Sequence, residues 1–267
     1  MKNEGAKLRL RGIEKSFATR QRTVAALGPL DLDVRDGEFV CLVGPSGCGK
    51  TTFLNIVAGL DDPDAGERTM DGKAITGPGP DRIVLFQELG LFPWLSVSGN
   101  VEFGLRLRKL PRAERRRKAA HYLEMVELAE FSDAYIHELS GGMKQRVALA
   151  RALSMEPAML LMDEPFAALD SQTRDMLEAE LQAIWARTRK TILFVTHNVR
   201  EAACLADRIV IFSRRPARIK GEFAVDLPRP RKIEDPDVSA LAGRILAELR
   251  SEIEAVAEEE RHRAPKH

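Results

Sequence analysis

Apolar and charged positions alternate from Lys7 to Ile13, the period of a strand with one face in a core. Glu38 to Val43 (EFVCLV) is a short apolar run and predicts a buried strand. A glycine-rich turn follows, and TTFLNIVAGL then predicts a helix closed near Gly59. Asp71-Gly72 is a hairpin-type turn signal, and Arg82 to Phe86 predicts another strand. From about Val97 to Leu153 the period changes, with Leu, Val and Met at spacings of three and four. LPRAERRRKAAHYLEMVEL is one helix of this stretch, with Pro111 near its first turn. Strand character returns at Ala158–Met162 (AMLLM). It is followed by a helix from about Ser171 to Arg189, strand 191–196, helix 199–206 and strand 208–212. Alternating strands and helices predict a parallel α/β sheet, here interrupted by a helical insert. PRPRK at 228–232 reads as a linker. Val238, Leu241, Ile245, Leu249, Ile253 and Val256 then make an apolar stripe at helical spacing, and EEERHRAPKH is expected to fray.

Charge changes the picture only by exclusion. Lys+Arg number 41 against 40 Asp+Glu, a net charge of +1, so no global field attracts nucleic acid. The arginine run at 112–117 could still be a local basic patch. Glu114, Glu124 and Glu127 on the same segment favour a solvated helix face. The three cysteines, Cys41, Cys48 and Cys204, give no metal pattern and no disulfide framework, which points to a reducing compartment. The first residues hold no apolar core of signal-peptide length, and no stretch approaches the roughly 18 apolar residues of a membrane span. If the protein works at a membrane, something else is expected to span.

Gly44-Pro45-Ser46-Gly47-Cys48-Gly49-Lys50-Thr51 matches the phosphate-loop pattern GxxxxGK[ST], between a predicted buried strand and a predicted helix. Glycines let the backbone wrap a phosphate chain at dihedrals other residues resist. The exposed N–H groups and the helix N-terminus form an anion nest that continues to Thr52. Lys50 is the residue type that reaches β- and γ-phosphates, and the Thr51 hydroxyl is the type that ligates Mg²⁺. Cys48 is read first as a small residue that fits the loop. Its place at a helix N-terminus also raises the expectation of a lowered thiol pKa.

Leu160-Leu-Met-Asp163-Glu164 is an apolar strand ending in two carboxylates. A phosphate-loop enzyme needs an acid at a strand end to hold Mg²⁺, which suits Asp163, and Glu164 can orient or deprotonate water. Ser140, Gly141 and Gly142, in LSGGMKQR, open a second helix with small backbone suited to phosphate oxygens. On their own they also read as a plain N-cap.

LSGGMKQR resembles the signature of ABC ATPases, and the flanking motifs follow in that family's order. Gln87 in VLFQE resembles the Q-loop, Ala168-Leu-Asp170 the D-loop and His197 in VTHN the switch histidine. The resemblance runs from about residue 8 to 225. It implies a P-loop NTPase (RecA-like) α/β core with a parallel sheet, an N-terminal antiparallel β element and an inserted helical subdomain. The core would occupy 1–88 and 156–227, the helical subdomain 89–155, and a C-terminal helix and tail 228–267. It implies ATP with Mg²⁺, held by Thr51, Gln87 and Asp163. Glu164 is then the catalytic carboxylate, with Lys50, Gln87 and His197 acting on the γ-phosphate, metal and water. Phe17 stands where an aromatic stacks on adenine, unless it is a core aromatic. Ser140, Gly141, Gly142 and Asp170 would serve a head-to-tail homodimer, in which each ATP meets the signature of a second copy.

The segment GPGPDRIVLFQELGLFPWLSVSGNV (77–101) resembles the nitrate/sulfonate/taurine group of importer ATPases. That resemblance implies a small anionic solute, permease subunits docking near Gln87–Trp94, a separate substrate-binding protein and a place on the cytoplasmic face of the membrane. An exposed Trp94 would suit such an anchor; otherwise it packs internally. The rival readings are a soluble ABC ATPase acting on nucleic acid or ribosomes, an importer subunit for another solute class, and a P-loop kinase.

Overall fold

The computed structural model describes residues 5–18 and 22–263. In chain order they form β1 (Ala6–Ala18), β2 (Thr23–Leu27), β3 (Leu32–Arg35), β4 (Phe39–Val43), α1 (Lys50–Ala58), β5 (Ala65–Met70), β6 (Lys73–Ala74) and β7 (Arg82–Leu85). There follow α2 (Val97–Leu107), α3 (Arg112–Met125), α4 (Gly141–Ser154), β8 (Met159–Asp163) and α5 (Ser171–Thr188). The chain ends with β9 (Thr191–Thr196), α6 (Val199–Leu205), β10 (Arg208–Phe212), β11 (Ile219–Ala224) and α7 (Pro236–Arg263). These elements divide into two compact units, Met1–Pro78 with Thr191–His267 and Gly79–Lys190. Each unit mixes helices and strands in an α/β architecture.

In the first unit β4 lies between two parallel neighbours, Cys41 pairing with Ile209 of β10 and Phe194 of β9. Every residue of β4 and β9 is buried, as expected of strands covered on both faces. The rings of Phe39 and Phe194 lie 5.9 Å apart, and Phe53 of α1 meets Phe212 edge-on at 5.3 Å. β11 adds an antiparallel edge to β10. β1 is the hub of an antiparallel layer and pairs with β2, β3 and β5. The β5–β6 hairpin turns at Asp71-Gly72, both at positive φ (48° and 73°), as the primed turn requires.

α7 packs on α6, and Val238, Leu241, Ile245 and Leu249 of the predicted stripe are buried. The side chains of Ile253 and Val256 lie outside the described residues. The helix continues to Arg263, so residues 258–263, expected to fray, are helical; 264–267 lie outside the described residues. The linker reading of 228–232 also needs correction. Its backbone is irregular, but Arg231 is buried and its guanidinium donates to the carbonyls of Ala203, Ala206, Val225 and Leu227, at 2.6 Å to Ala206. A cation thereby caps the C-terminus of α6, where the helix dipole favours it. Burial, and then the neighbouring Arg229, lower its pKa to about 10.

In the second unit β7 and β8 run parallel, with Ile83 opposite Leu160. α2 packs on both α3 and α4, and α4 packs on β7. Asn100 is fully buried on the apolar face of α2 with Val97, Val101 and Leu105. The basic run on α3 is a solvated, ion-paired face: Arg115 meets Glu102 at 3.3 Å and Lys118 meets Glu156 at 2.6 Å.

Candidate functional site

In the first unit the phosphate loop joins the end of β4 to α1. Gly47 and Gly49 take left-handed φ values of 69° and 125°. A Cβ on Gly44 would meet the carbonyl of Phe212 at 2.8 Å, and one on Gly49 that of Ala26 at 3.0 Å. The ends of β2 and β10 therefore wall the loop closely enough to require glycine at both positions. Gly44 and Pro45 are buried, while Ser46 and Gly47 are exposed. α1 carries neither a side-chain cap nor an acidic residue in its first turn, so its positive end is left for an anion. Lys50 is buried, with Nζ donating to the carbonyls of Gly44 (2.8 Å) and Pro45 (3.0 Å). Thr51 is exposed and Thr52 half-buried on the first turn.

Cys48 overturns one expectation. Its Sγ is buried, 3.9 Å from Lys50 Nζ, and burial raises its pKa although the ammonium pulls the other way. Desolvation of the thiolate outweighs the helix end and the lysine.

His197 stands exposed just after β9. Its neighbours fix the turn. Thr196 Oγ1 accepts from the Asn198 N–H at 2.9 Å and bonds the Glu201 carboxylate. The Asn198 side-chain Oδ1 caps α6, accepting from the N–H groups of Arg200 (3.0 Å) and Glu201 (3.3 Å). Phe17 lies on β1 opposite Val24, 42% exposed, with Lys15 Nζ 5.5 Å above its ring. It is a surface platform and not a core aromatic.

In the second unit Asp163 is buried at the end of β8, and Glu164 follows at φ 45°, a left-handed value unusual for a glutamate. Such backbone strain concentrates where a side chain must be aimed. Gln87 is exposed just beyond β7. Ser140 caps α4, its Oγ accepting from the Met143 N–H at 3.3 Å, with Gly141 exposed and Gly142 half-buried beside it. Asp170 caps α5 through the Thr173 N–H at 3.0 Å, a bond that also lowers its pKa.

The same unit carries an apolar groove of about 330 Å³, lined by Phe86, Leu89, Phe92, Phe103, Leu107 and Met155, among others. Trp94 stands beside it, 71% exposed, its ring 5.5 Å from that of Phe92. Two residues passed over in the sequence build the groove. Arg151 donates to the carbonyls of Leu89 (2.6 Å) and Gly90 (2.7 Å), and burial lowers its pKa. The Asn100 carboxamide accepts from the Phe92 N–H at 2.8 Å and donates to the carbonyls of Phe92, Leu95 and Ser96. A polar residue on the apolar stripe of α2 was the signal available for Asn100.

A family profile described as ABC transporter matches residues 27–167. The nitrate import ATP-binding protein NrtD of Synechocystis is 48% identical over 83% of this chain and 83% of its own. The taurine import ATP-binding protein TauB of Rhizobium johnstonii is 45% identical over 90% of this chain and 92% of its own. This chain belongs to the ABC transporter family.

It is an ATP-binding cassette with the P-loop NTPase fold, an ATPase. A solved dimeric ATP-binding cassette in a post-hydrolysis state, bound to ADP and Pi, aligns with a TM-score of 0.73 at 32% identity. The alignment covers 83% of this chain and all of that one. The cassette carries no helix, among its described residues, long and apolar enough to cross a membrane. Thr51 in the first unit offers a hydroxyl oxygen, and the buried Asp163 and the exposed Gln87 in the second offer a carboxylate and a carboxamide oxygen, the donor types that hard cations take.

Proposed function

We propose that this cassette is half of a two-site Mg²⁺-ATPase that drives import of a small anionic solute of the nitrate, sulfonate or taurine kind. The observation that carries the solute class is the identity, 48% and 45%, to relatives named for nitrate and taurine import. Lys50 and the loop N–H groups bind the phosphates, and Phe17 offers its ring to adenine. Thr51, Asp163 and Gln87 would hold Mg²⁺, which would supply Lewis-acid neutralisation of the phosphates. Glu164 orients and deprotonates the attacking water, and His197 contacts the γ-phosphate. Ser140, Gly141, Gly142 and Asp170 serve the ATP held by a second copy, in a head-to-tail homodimer about a twofold axis.

The groove beside Trp94 seats an apolar segment of a permease subunit on the cytoplasmic face. A large exposed aromatic next to a concave apolar surface is the usual form of an interface anchor. A separate substrate-binding protein delivers the solute. In detergent the tagged cassette should co-purify with a polytopic membrane protein, and its ATPase in the reconstituted system should respond to one of the named anions. Tight DNA binding at physiological salt, with no membrane partner recovered, would favour the nucleic-acid reading instead.

A further inference from the structure

The turn 213–218, between β10 and β11, lies over the phosphate loop and is gripped from its other side by the C-terminal helix. Arg215 Nε donates to the carbonyl of Gly47, at the exposed tip of the loop. The contact is close: a Cβ on Gly47 would stand 3.3 Å from Arg215 Nη2. The turn is closed on itself. The Ser213 N–H donates to the Arg218 carbonyl (2.9 Å), and the Arg218 N–H to Ser213 Oγ (3.0 Å). Ala217 pairs with Ala26 (3.0 Å) and Gly28 (2.9 Å), tying the turn to the strand end that walls Gly49.

From α7, Glu252 accepts the Arg214 N–H at 3.0 Å and meets Lys220 Nζ at 3.3 Å, while the same ammonium bonds the Glu248 carbonyl (3.0 Å) and Ser251 Oγ (2.8 Å). Glu252 on the helix and Gly47 on the phosphate loop thus bind adjacent residues of a single turn, Arg214 and Arg215.

We propose that Arg215 is a positioning residue for nucleotide binding, holding the Gly47 peptide of the phosphate loop in place, and that Glu252 holds Arg215's turn from α7. Fixing the Gly47 carbonyl fixes the peptide plane and with it the neighbouring N–H groups of the nest, because the peptide unit is planar. The guanidinium also places a permanent positive charge beside an anion site. Any ligand or partner that pulls on α7 is thereby linked to nucleotide affinity.

This inference rests on the loop's binding ATP. The test measures the Kd of a fluorescent ATP analogue without Mg²⁺, beside apo Tm and ATPase kinetics, for wild type, Lys50→Ala, Arg215→Ala, Arg215→Lys, Glu252→Ala and the double Arg215→Ala/Glu252→Ala. Arg215→Ala should raise Kd and KM about five- to tenfold, the size of one typical intramolecular hydrogen bond, with kcat within about twofold. Arg215→Lys should recover part of that loss. Glu252→Ala should raise Kd about threefold, and the double variant should be no weaker than Arg215→Ala alone. Lowered Tm with Kd within twofold of wild type in both Arg215 variants would overturn the proposal and leave a structural role only. Additive losses in the double variant would overturn the link to α7. Wild type that fails to bind, indistinguishable from Lys50→Ala, would instead sink the nucleotide reading itself.

Discussion

A Cβ placed on Gly142 would stand 2.7 Å from Thr173 Cγ2, so the first turns of α4 and α5 approach as closely as a glycine permits. Thr173 cannot swing away cheaply. It is β-branched, and its own N–H is held by Asp170. Gly142→Ala sets two effects against each other. Helix propensity gains up to about 1 kcal/mol, less at a first turn, while overpacking costs about 1–3 kcal/mol. Overpacking should win, lowering stability by about 1 kcal/mol in urea unfolding and weakening ATP-dependent dimerisation. Thr173→Ser in the same chain removes the clashing methyl and should restore both. A double variant no better than the single one would show that the contact is not the cause.

Glu164 is aimed by a backbone value that disfavours most side chains, φ 45°. Glu164→Gln keeps the shape and removes the basicity. It should bind ATP like wild type and lose about 10²- to 10⁴-fold in turnover, the usual worth of a general base. In the proposed two-site arrangement hydrolysis releases the dimer, so gel filtration with ATP should show this variant as a stable dimer. A variant that stays monomeric while turning over normally would contradict the two-site arrangement.

The parts legible in the sequence are those decided locally. β4, residues 159–162 of β8 and residues 192–195 of β9 are unbroken apolar runs, and a strand buried on both faces has little other reading. The phosphate loop and signature carry fixed residue types at fixed spacing. β2 and β11 escaped notice because TVAAL and IKGEFA show no clean alternation. They are strands because β1 and β10 offer edges to pair with. Arg231 sits in a stretch whose composition says linker, and only folding brings the carbonyls of α6 and of 225–227 around it. The groove draws on β7, α2 and α4, so no sequence window contains it. Cys48 failed for an energetic reason. The helix end and Lys50 favour the thiolate, but burial disfavours it more.

That thiol yields a pH prediction. With its pKa raised by burial, the thiolate fraction at neutral pH falls below that of an exposed cysteine, and alkylation needs both deprotonation and access. A maleimide should modify Cys48 more slowly than a denatured control at pH 7. The rate should climb about tenfold per pH unit and not level off near the ordinary thiol pKa. The sign follows from the raised value: rising pH populates the reactive form later than in the unfolded chain. Plateauing below the denatured control's midpoint would mean that the helix N-terminus wins after all.

Arg231 tests whether a buried cation can be structural without touching the site. Replacing it with Met keeps the apolar stem and leaves the carbonyls of Ala203, Ala206, Val225 and Leu227 short of a donor. Each such loss costs about 1–3 kcal/mol where water cannot enter, and partial relaxation makes the total about 2–4 kcal/mol. The variant should unfold at lower urea with the ATP Kd of the folded fraction unchanged. A normal midpoint would show that water replaces the guanidinium.

Trp94 separates chemistry from coupling. Its side chain is 71% exposed, and its ring contact is with Phe92, which Asn100 pins through the backbone. An exposed surface substitution usually changes stability by no more than about 0.5 kcal/mol. Trp94→Ala should therefore keep the Tm and ATPase of the isolated cassette, while transport and solute-stimulated ATPase in the reconstituted complex fall about tenfold or more, as for an aromatic interface anchor. Asn100→Ala should give the same coupling defect by a different route. It frees the 92–96 segment and exposes unsatisfied carbonyls, so it should also lose about 1–3 kcal/mol of stability. If Trp94→Ala transported like wild type while Asn100→Ala did not, the anchor would lie in the groove wall and not in the tryptophan.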